Sequence, residues 1–117
     1  MKLSHAILEG AQKVTQGTES TIKVECNQVR CCAIGMALLT AGGYTLICNI
    51  YYEYNPIFNL YFTFPILSIS DGITTLKDRI IYWNDKLVLP PHEIAMRVAS
   101  IECKAERGET INLSDWD

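Results

Sequence analysis

Between Met36 and Ser70 the chain runs for 35 residues with one charged side chain, Glu53, and that scarcity is the strongest constraint on its fold. A chain of 117 residues fits one domain, and domains of this size bury roughly two thirds of their unfolded surface. The string "YTLICNIYYEYNPIFNLYFTFPILS" is therefore more apolar than so small an interior can hide. Part of the set Tyr51, Tyr52, Tyr54, Phe58, Tyr61, Phe62 and Phe64 is expected to stay outside as a surface for a partner, a second copy or a ligand. The plainer reading is a core segment whose tyrosines reach the solvent with their hydroxyls. Pro56 and Pro65 interrupt any long element, so short irregular or helical pieces are expected here rather than a long strand.

Immediately before and into this stretch, "VRCCAIGMALLTAGG" places almost nothing polar between Cys32 and Ala41 and closes on Gly42-Gly43. Ten such residues, only Ile34 and Thr40 of them β-branched, predict a helix, the glycines are its C-terminal stop, and a helix apolar all round belongs inside. Ala33, Ala37 and Ala41 recur every four residues, a strip of small side chains against which another element can approach closely.

The rest of the chain reads as elements that wrap this helix. A helix is expected from Ser4 as N-cap, with Leu3, Ile7 and Ala11 facing the core and Leu3 stapled onto Leu8. "TIKVECNQVRCC" alternates Ile22, Val24 and Cys26 with polar neighbours and predicts a short β-hairpin. A third helix is expected from Asp71 as N-cap to Trp83, with Ile73, Leu76 and Ile80 on its inner face and Asn84-Asp85 ending it. Pro90-Pro91 predict the start of a last helix, with Ile94, Ala95, Val98, Ile101 and Ala105 inward, Glu93 and Arg97 paired on the outside, and Gly108 as the stop. The expected architecture is thus mainly α, an α+β domain of about four helices and one hairpin around a buried central helix. Residues 1–108 form one globular unit and 109–117 a tail, in which Ile111, Leu113 and Trp116 are apolar enough to pack.

Charge and cysteines narrow the function. A formal net charge of −3 with ten scattered basic residues lacks the basic stripe that phosphate neutralisation requires, so nucleic acid is not an expected partner. No run reaches the roughly 18 apolar residues that span a bilayer, so a membrane is not one either. Five cysteines, an odd number, follow the opening "MKLSHAILEGAQ", which has no apolar signal core. A reduced, cytoplasmic protein is expected.

Candidate chemistry is sparse. Cys31 or Cys32 at a helix start would feel the positive end of the helix dipole, which favours the thiolate. A thiol hydrolase or transferase built on Cys32 also needs a base, and the chain offers only His5 and His92, each on its own predicted helix. Buried filler is the plainer role for both thiols. Cys26, Cys31, Cys32, Cys48 and Cys103 lack paired Cys-x-x-Cys spacing, so no metal site and no cofactor are expected. A disulfide from Cys26 to Cys31 would be disfavoured in a reducing cell. Asp78, Asp85 and Glu93 read as caps and solvated faces, and Gly42-Gly43 follows a helix, whereas phosphate loops precede one.

Three stretches, "LSHAILEGA", "CAIGMALLTAG" and "FPIL" followed by "IIYWNDKLVLPPHEIAMRVASIE", together resemble a family of small uncharacterised phage, prophage and bacterial proteins. In that family an "LSEAI..GA" helix precedes a "CALGAAL" helix, and "LND" with "IA..V..IE" follows. The resemblance spans residues 2–42 and 64–102, and two departures are Met36 in place of a small alanine and "LVLPP" at the entry to the last helix. It implies a viral or prophage setting and transfers no catalytic residue. The expected function is non-enzymatic: an accessory protein that binds a host protein or itself through residues 44–68. The alternatives are the thiol enzyme and a small-ligand sequestering protein.

Overall fold

The computed structural model describes residues 1–19, 21–25, 28–48 and 51–116. Its centre is helix α2, Ala33–Ala41, whose residues from Ala33 to Leu38 are all buried, as the unbroken apolar run requires. Cys32 is the N-cap, its sulfur accepting the Gly35 N–H at 3.5 Å, and Gly42 ends the helix in the left-handed conformation at φ 87°.

Helix α1, Leu3–Ala11, lies along α2 and buries Leu3, Ser4, Ala6, Ile7 and Gly10. The close approach is made at Gly10, where a Cβ would overlap the backbone carbonyl of Met36, and Thr40 Oγ1 fastens the pair by donating to Ala6 O at 2.7 Å. The expected Ser4 cap is corrected. The cap position lies two residues earlier, at Lys2, which gives no side-chain cap, and Ser4 is interior. Leu3 is the first helical residue rather than the residue before the cap, so it is not placed for the expected staple, and Leu8 is 39% exposed.

The hairpin forms from β2, Ile22–Glu25, and β3, Gln28–Cys31, antiparallel with Val24 opposite Val29. A two-residue strand β1, Thr15–Gln16, adds in parallel on the other side of β3 and makes a three-stranded sheet. A second hairpin follows α2: β4, Tyr44–Cys48, pairs with β5, Tyr51–Tyr54, with a slip of register between Leu46 and Cys48. The expectation of irregular or helical pieces fails for this part of the aromatic stretch, because the β-branched and aromatic residues ahead of Pro56 favour a pleated pair. It holds beyond Pro56, where a single helical turn α3, Leu60–Thr63, leads into a 3-10 turn, Pro65–Ser68.

Helix α4, Leu76–Asp85, begins at Thr75, whose Oγ1 accepts the Asp78 N–H at 3.2 Å. Asp71 is no helix cap. Its carboxylate closes a turn on the N–H groups of Ile73 and Thr74, both at 3.0 Å, which leaves Ile73 92% exposed. Helix α5, Pro91–Glu106, starts at the Pro pair as expected and is followed by Gly108 at φ 69°. It buries Ile94, Ala95, Val98 and Ile101, while Ala105 is exposed. Glu93 and Arg97 pair at 3.6 Å. Trp83 is fully interior, with the Arg97 guanidinium 5.3 Å from its ring centre, a cation over an aromatic face. Leu113, in a terminal 3-10 turn Leu113–Trp116, is also buried, so the end of the chain packs onto the domain.

The domain is therefore mainly helical α+β, with α1, α4 and the strands arranged about α2 and α5 packed on α1. No helix among the described residues is long and apolar enough to cross a membrane.

Candidate functional site

The aromatic stretch is divided by the fold. Phe64 and Leu67 enter the core at 1% and 0% exposure, whereas Phe62, two positions before Phe64, is 86% exposed and Ile57 is 89% exposed. Local hydrogen bonding fixes this division. Asn55 Oδ1 accepts the Ile57 N–H at 3.2 Å and Asn55 O accepts the Phe58 N–H at 3.0 Å, turning the chain at Pro56 so that Ile57 points out and Phe58 half-buries against the core. Asn59 then caps α3, accepting the Phe62 N–H at 3.0 Å, which orients Tyr61 and Phe62 to solvent.

Tyr54 and Tyr61 are each 47% exposed. The Tyr54 hydroxyl donates to Phe58 O at 3.1 Å, and its ring meets Tyr44 edge-on at 5.6 Å between centres. Lys77 Nζ stands 5.5 Å from the centre of the Tyr61 ring. Of the expected binding residues, Tyr54, Tyr61 and Phe62 are thus outward and Phe58 is half-buried. Tyr51 and Tyr52 lie in β5, but their side chains fall outside the described residues.

Cys32 lines a separate cleft of about 220 Å³, shared with Glu19, Thr21, Ile34, Lys77, Ile81 and Asp85. Two effects oppose each other at its sulfur. The N–H groups of Gly35 and Ile34 favour the thiolate, while burial and then the Asp85 carboxylate disfavour it, and burial dominates, so the thiol is pushed above its ordinary range. Cys31, fully buried beside it, is pushed up to about 12, again by burial and then by Cys32. His5 and His92 are exposed, on α1 and α5 respectively, and neither lines the Cys32 cleft. Neither expected pairing, Cys32 with His5 or Cys32 with His92, is assembled there. Cys31, Cys32 and Cys103 are free thiols, and no three His, Cys, Asp or Glu groups among the described residues are placed to hold a metal. Cys26 lies outside the described residues, as does the side chain of Cys48.

Two polar residues organise the interior: Asn84, expected from the sequence only as a helix end, and Glu102. Asn84, 1% exposed, accepts Ala33 N–H and Gln16 Nε2 on its Oδ1, both at 3.1 Å, and donates from Nδ2 to Gly17 O and to Asp85 Oδ1, both at 2.8 Å. Gln16 Nε2 also reaches Leu89 O at 2.7 Å. Glu102, 7% exposed, accepts the Leu3 N–H on Oε2 at 3.0 Å and so caps α1 from α5. Both were legible as polar residues on an apolar stripe, since Asn84 follows Ile80 by four positions and Glu102 follows Val98 by four.

Comparison with protein-family models, with curated proteins and with solved structures returns no match for this chain.

Proposed function

We infer that this chain is a non-enzymatic accessory protein that works by contact, through the surface formed by Tyr54, Ile57, Tyr61 and Phe62. The observation that carries the reading is the exposure of Ile57 at 89% and Phe62 at 86% within six positions, each held outward by an asparagine-directed turn rather than left on a loose loop. Covering apolar surface contributes about 25 cal/mol per Å², so two such side chains beside two half-exposed tyrosines favour association with another protein surface. The scarcity of charge in this part of the chain, Glu53 alone, lowers the desolvation cost that usually opposes such contact, leaving the Lys77 ammonium beside Tyr61 as the charge nearest the rings.

The partner is a second copy or a host protein, in the phage or prophage setting that the sequence resemblance implies. A thiol enzyme is the less favoured reading, because burial of Cys32 disfavours its thiolate. Sedimentation of the wild type across a wide concentration range, paired with photo-crosslinking from position 62 in host extract, tests the contact reading. Ile57→Ser with Phe62→Ser should leave thermal stability unchanged while abolishing self-association through this surface, and Ile57→Ser alone should abolish the species crosslinked from position 62. A wild type that is strictly monomeric and yields the same crosslinks with and without the Ile57→Ser change would end it.

A further inference from the structure

The strand order β1-β3-β2 gives β2, Ile22–Glu25, one neighbour, β3, and leaves its other side without a strand among the described residues. One hydrogen bond sets the phase of this ladder. Gly17 N–H donates to Cys31 O at 2.8 Å, which turns the Cys31 backbone groups toward β1. Backbone groups alternate sides along a strand, so those of Arg30 and Gln28 face β2 and engage their register partners, Lys23 and Glu25. The N–H and C=O groups of Ile22 and Val24 therefore point away from the sheet, and the Val24 side chain is 43% exposed.

An edge of outward N–H and C=O groups is matched by another extended backbone, and charge selects which one. Ile22 and Val29 pack against the core, so Val24, opposite Val29, shares their face, while Lys23 and Arg30, opposite one another, share the other face. Lys23-Val24-Glu25 is cation, apolar, anion, a sequence complementary to itself when reversed. An antiparallel copy that pairs Val24 with Val24 sets each Lys23 opposite the other chain's Glu25. A slip that pairs Val24 with Ile22 sets Lys23 opposite Lys23, the repulsion by which a lysine usually guards an edge. With Arg30 already across from Lys23, this place on the sheet favours a carboxylate as its next neighbour.

We propose that this edge is a self-association site, at which a second copy of the chain adds its own β2 antiparallel and in register at Val24, joining two three-stranded sheets across a two-fold axis. The two Val24 residues exchange both backbone hydrogen bonds, and their side chains cover one another on the core-side face. None of these residues belongs to the surface at Phe62. Ile57→Ser with Phe62→Ser reduces any larger assembly to this pair, and loss of this pair leaves the crosslinks from position 62, so either contact can fail without the other.

The test is a charge exchange in the full chain, read by sedimentation and by amide hydrogen exchange. Lys23→Glu alone and Glu25→Lys alone should each weaken pairing at least tenfold. An equimolar mixture of these two variants should pair as the wild type does, since each offers the sign that the other lacks, and so should the double exchange, Lys23→Glu with Glu25→Lys. The Val24 amide, outward in the single chain, should exchange at least tenfold more slowly in paired than in unpaired wild type, while the Lys23 amide, bonded to β3, changes little. Should a single variant unfold, the double exchange and the Val24 amide of the wild type decide the matter. A wild type that stays monomeric up to about 1 mM, a mixture that pairs no better than either variant alone, or Val24 exchange independent of protein concentration would each overturn the proposal. Pairing that Ile57→Ser with Phe62→Ser removes entirely would overturn it as well, in favour of the aromatic surface.

Discussion

The backbone N–H of Ala33 donates to Oδ1 of Asn84 at 3.1 Å, so the first peptide of the central helix is satisfied by a side chain 51 positions away. The same carboxamide holds Gly17 O and Gln16, and through Gln16 the Leu89 carbonyl. It joins the β1 turn, α2 and α4 at one buried point. Asn84→Ala should lower unfolding free energy by about 2–4 kcal/mol, because it leaves several buried partners unpaired at roughly 1–3 kcal/mol each before relaxation. Urea denaturation followed by tryptophan fluorescence measures this, and a loss under 1 kcal/mol would show that water replaces the network.

Gly10 meets Met36 backbone to backbone, with no room for a Cβ. Gly10→Ala gains helix propensity of about 1 kcal/mol but forces α1 off α2. The net expectation is destabilisation by about 1–3 kcal/mol, the usual range for overpacking. A rise in melting temperature for this variant would mean that the two helices separate without loss.

Val88 holds φ 50°, a left-handed conformation that a β-branched residue adopts only under constraint, and it is 58% exposed. Its neighbours explain the constraint, since Leu89 N–H donates to Trp83 O at 3.0 Å and Leu89 O accepts from Gln16. Val88→Asn should stabilise the protein by about 0.5–1 kcal/mol, as asparagine tolerates this region. Thermal melts of the two proteins side by side decide it; an unchanged or lower midpoint contradicts the strain.

Burial raises the Cys31 thiol to about 12 and raises Cys32 as well, so both stay neutral in the fold at pH values where the unfolded chain ionises them. The unfolded state then releases protons that the folded state keeps, and stability should be full below about pH 9 and decline as pH rises from there toward 12. At pH 8, iodoacetamide should modify exposed Cys103 readily and spare Cys31 and Cys32 until denaturant is added. Mass spectrometry of peptides from the native protein checks the order. Fast native labelling of Cys32 would restore the thiol-enzyme reading.

Elements whose evidence is local were legible in the chain. Continuous apolar residues and a glycine stop specify α2, the Pro pair and Gly108 bracket α5, and alternation on either side of residues 26 and 27 specifies the β2–β3 hairpin, since each depends on neighbours within a few positions. Where two local caps compete, the sequence leaves the outcome open: Asp71 and Thr75 are both good N-caps, and Asp71 is taken by its own turn.

What the sequence settled by itself was that 35 nearly uncharged residues outrun the interior of one small domain. Which of them stay outside was settled in three dimensions. Phe62 and Phe64 have the same side chain two positions apart, and only the turn between α3 and Pro65 sends one to water and the other into the core. Asn84 and Glu102 make the same point for polar groups. A buried hydrogen bond is defined by a partner, and Ala33 and Leu3 lie 51 and 99 positions away, beyond the reach of any periodic pattern.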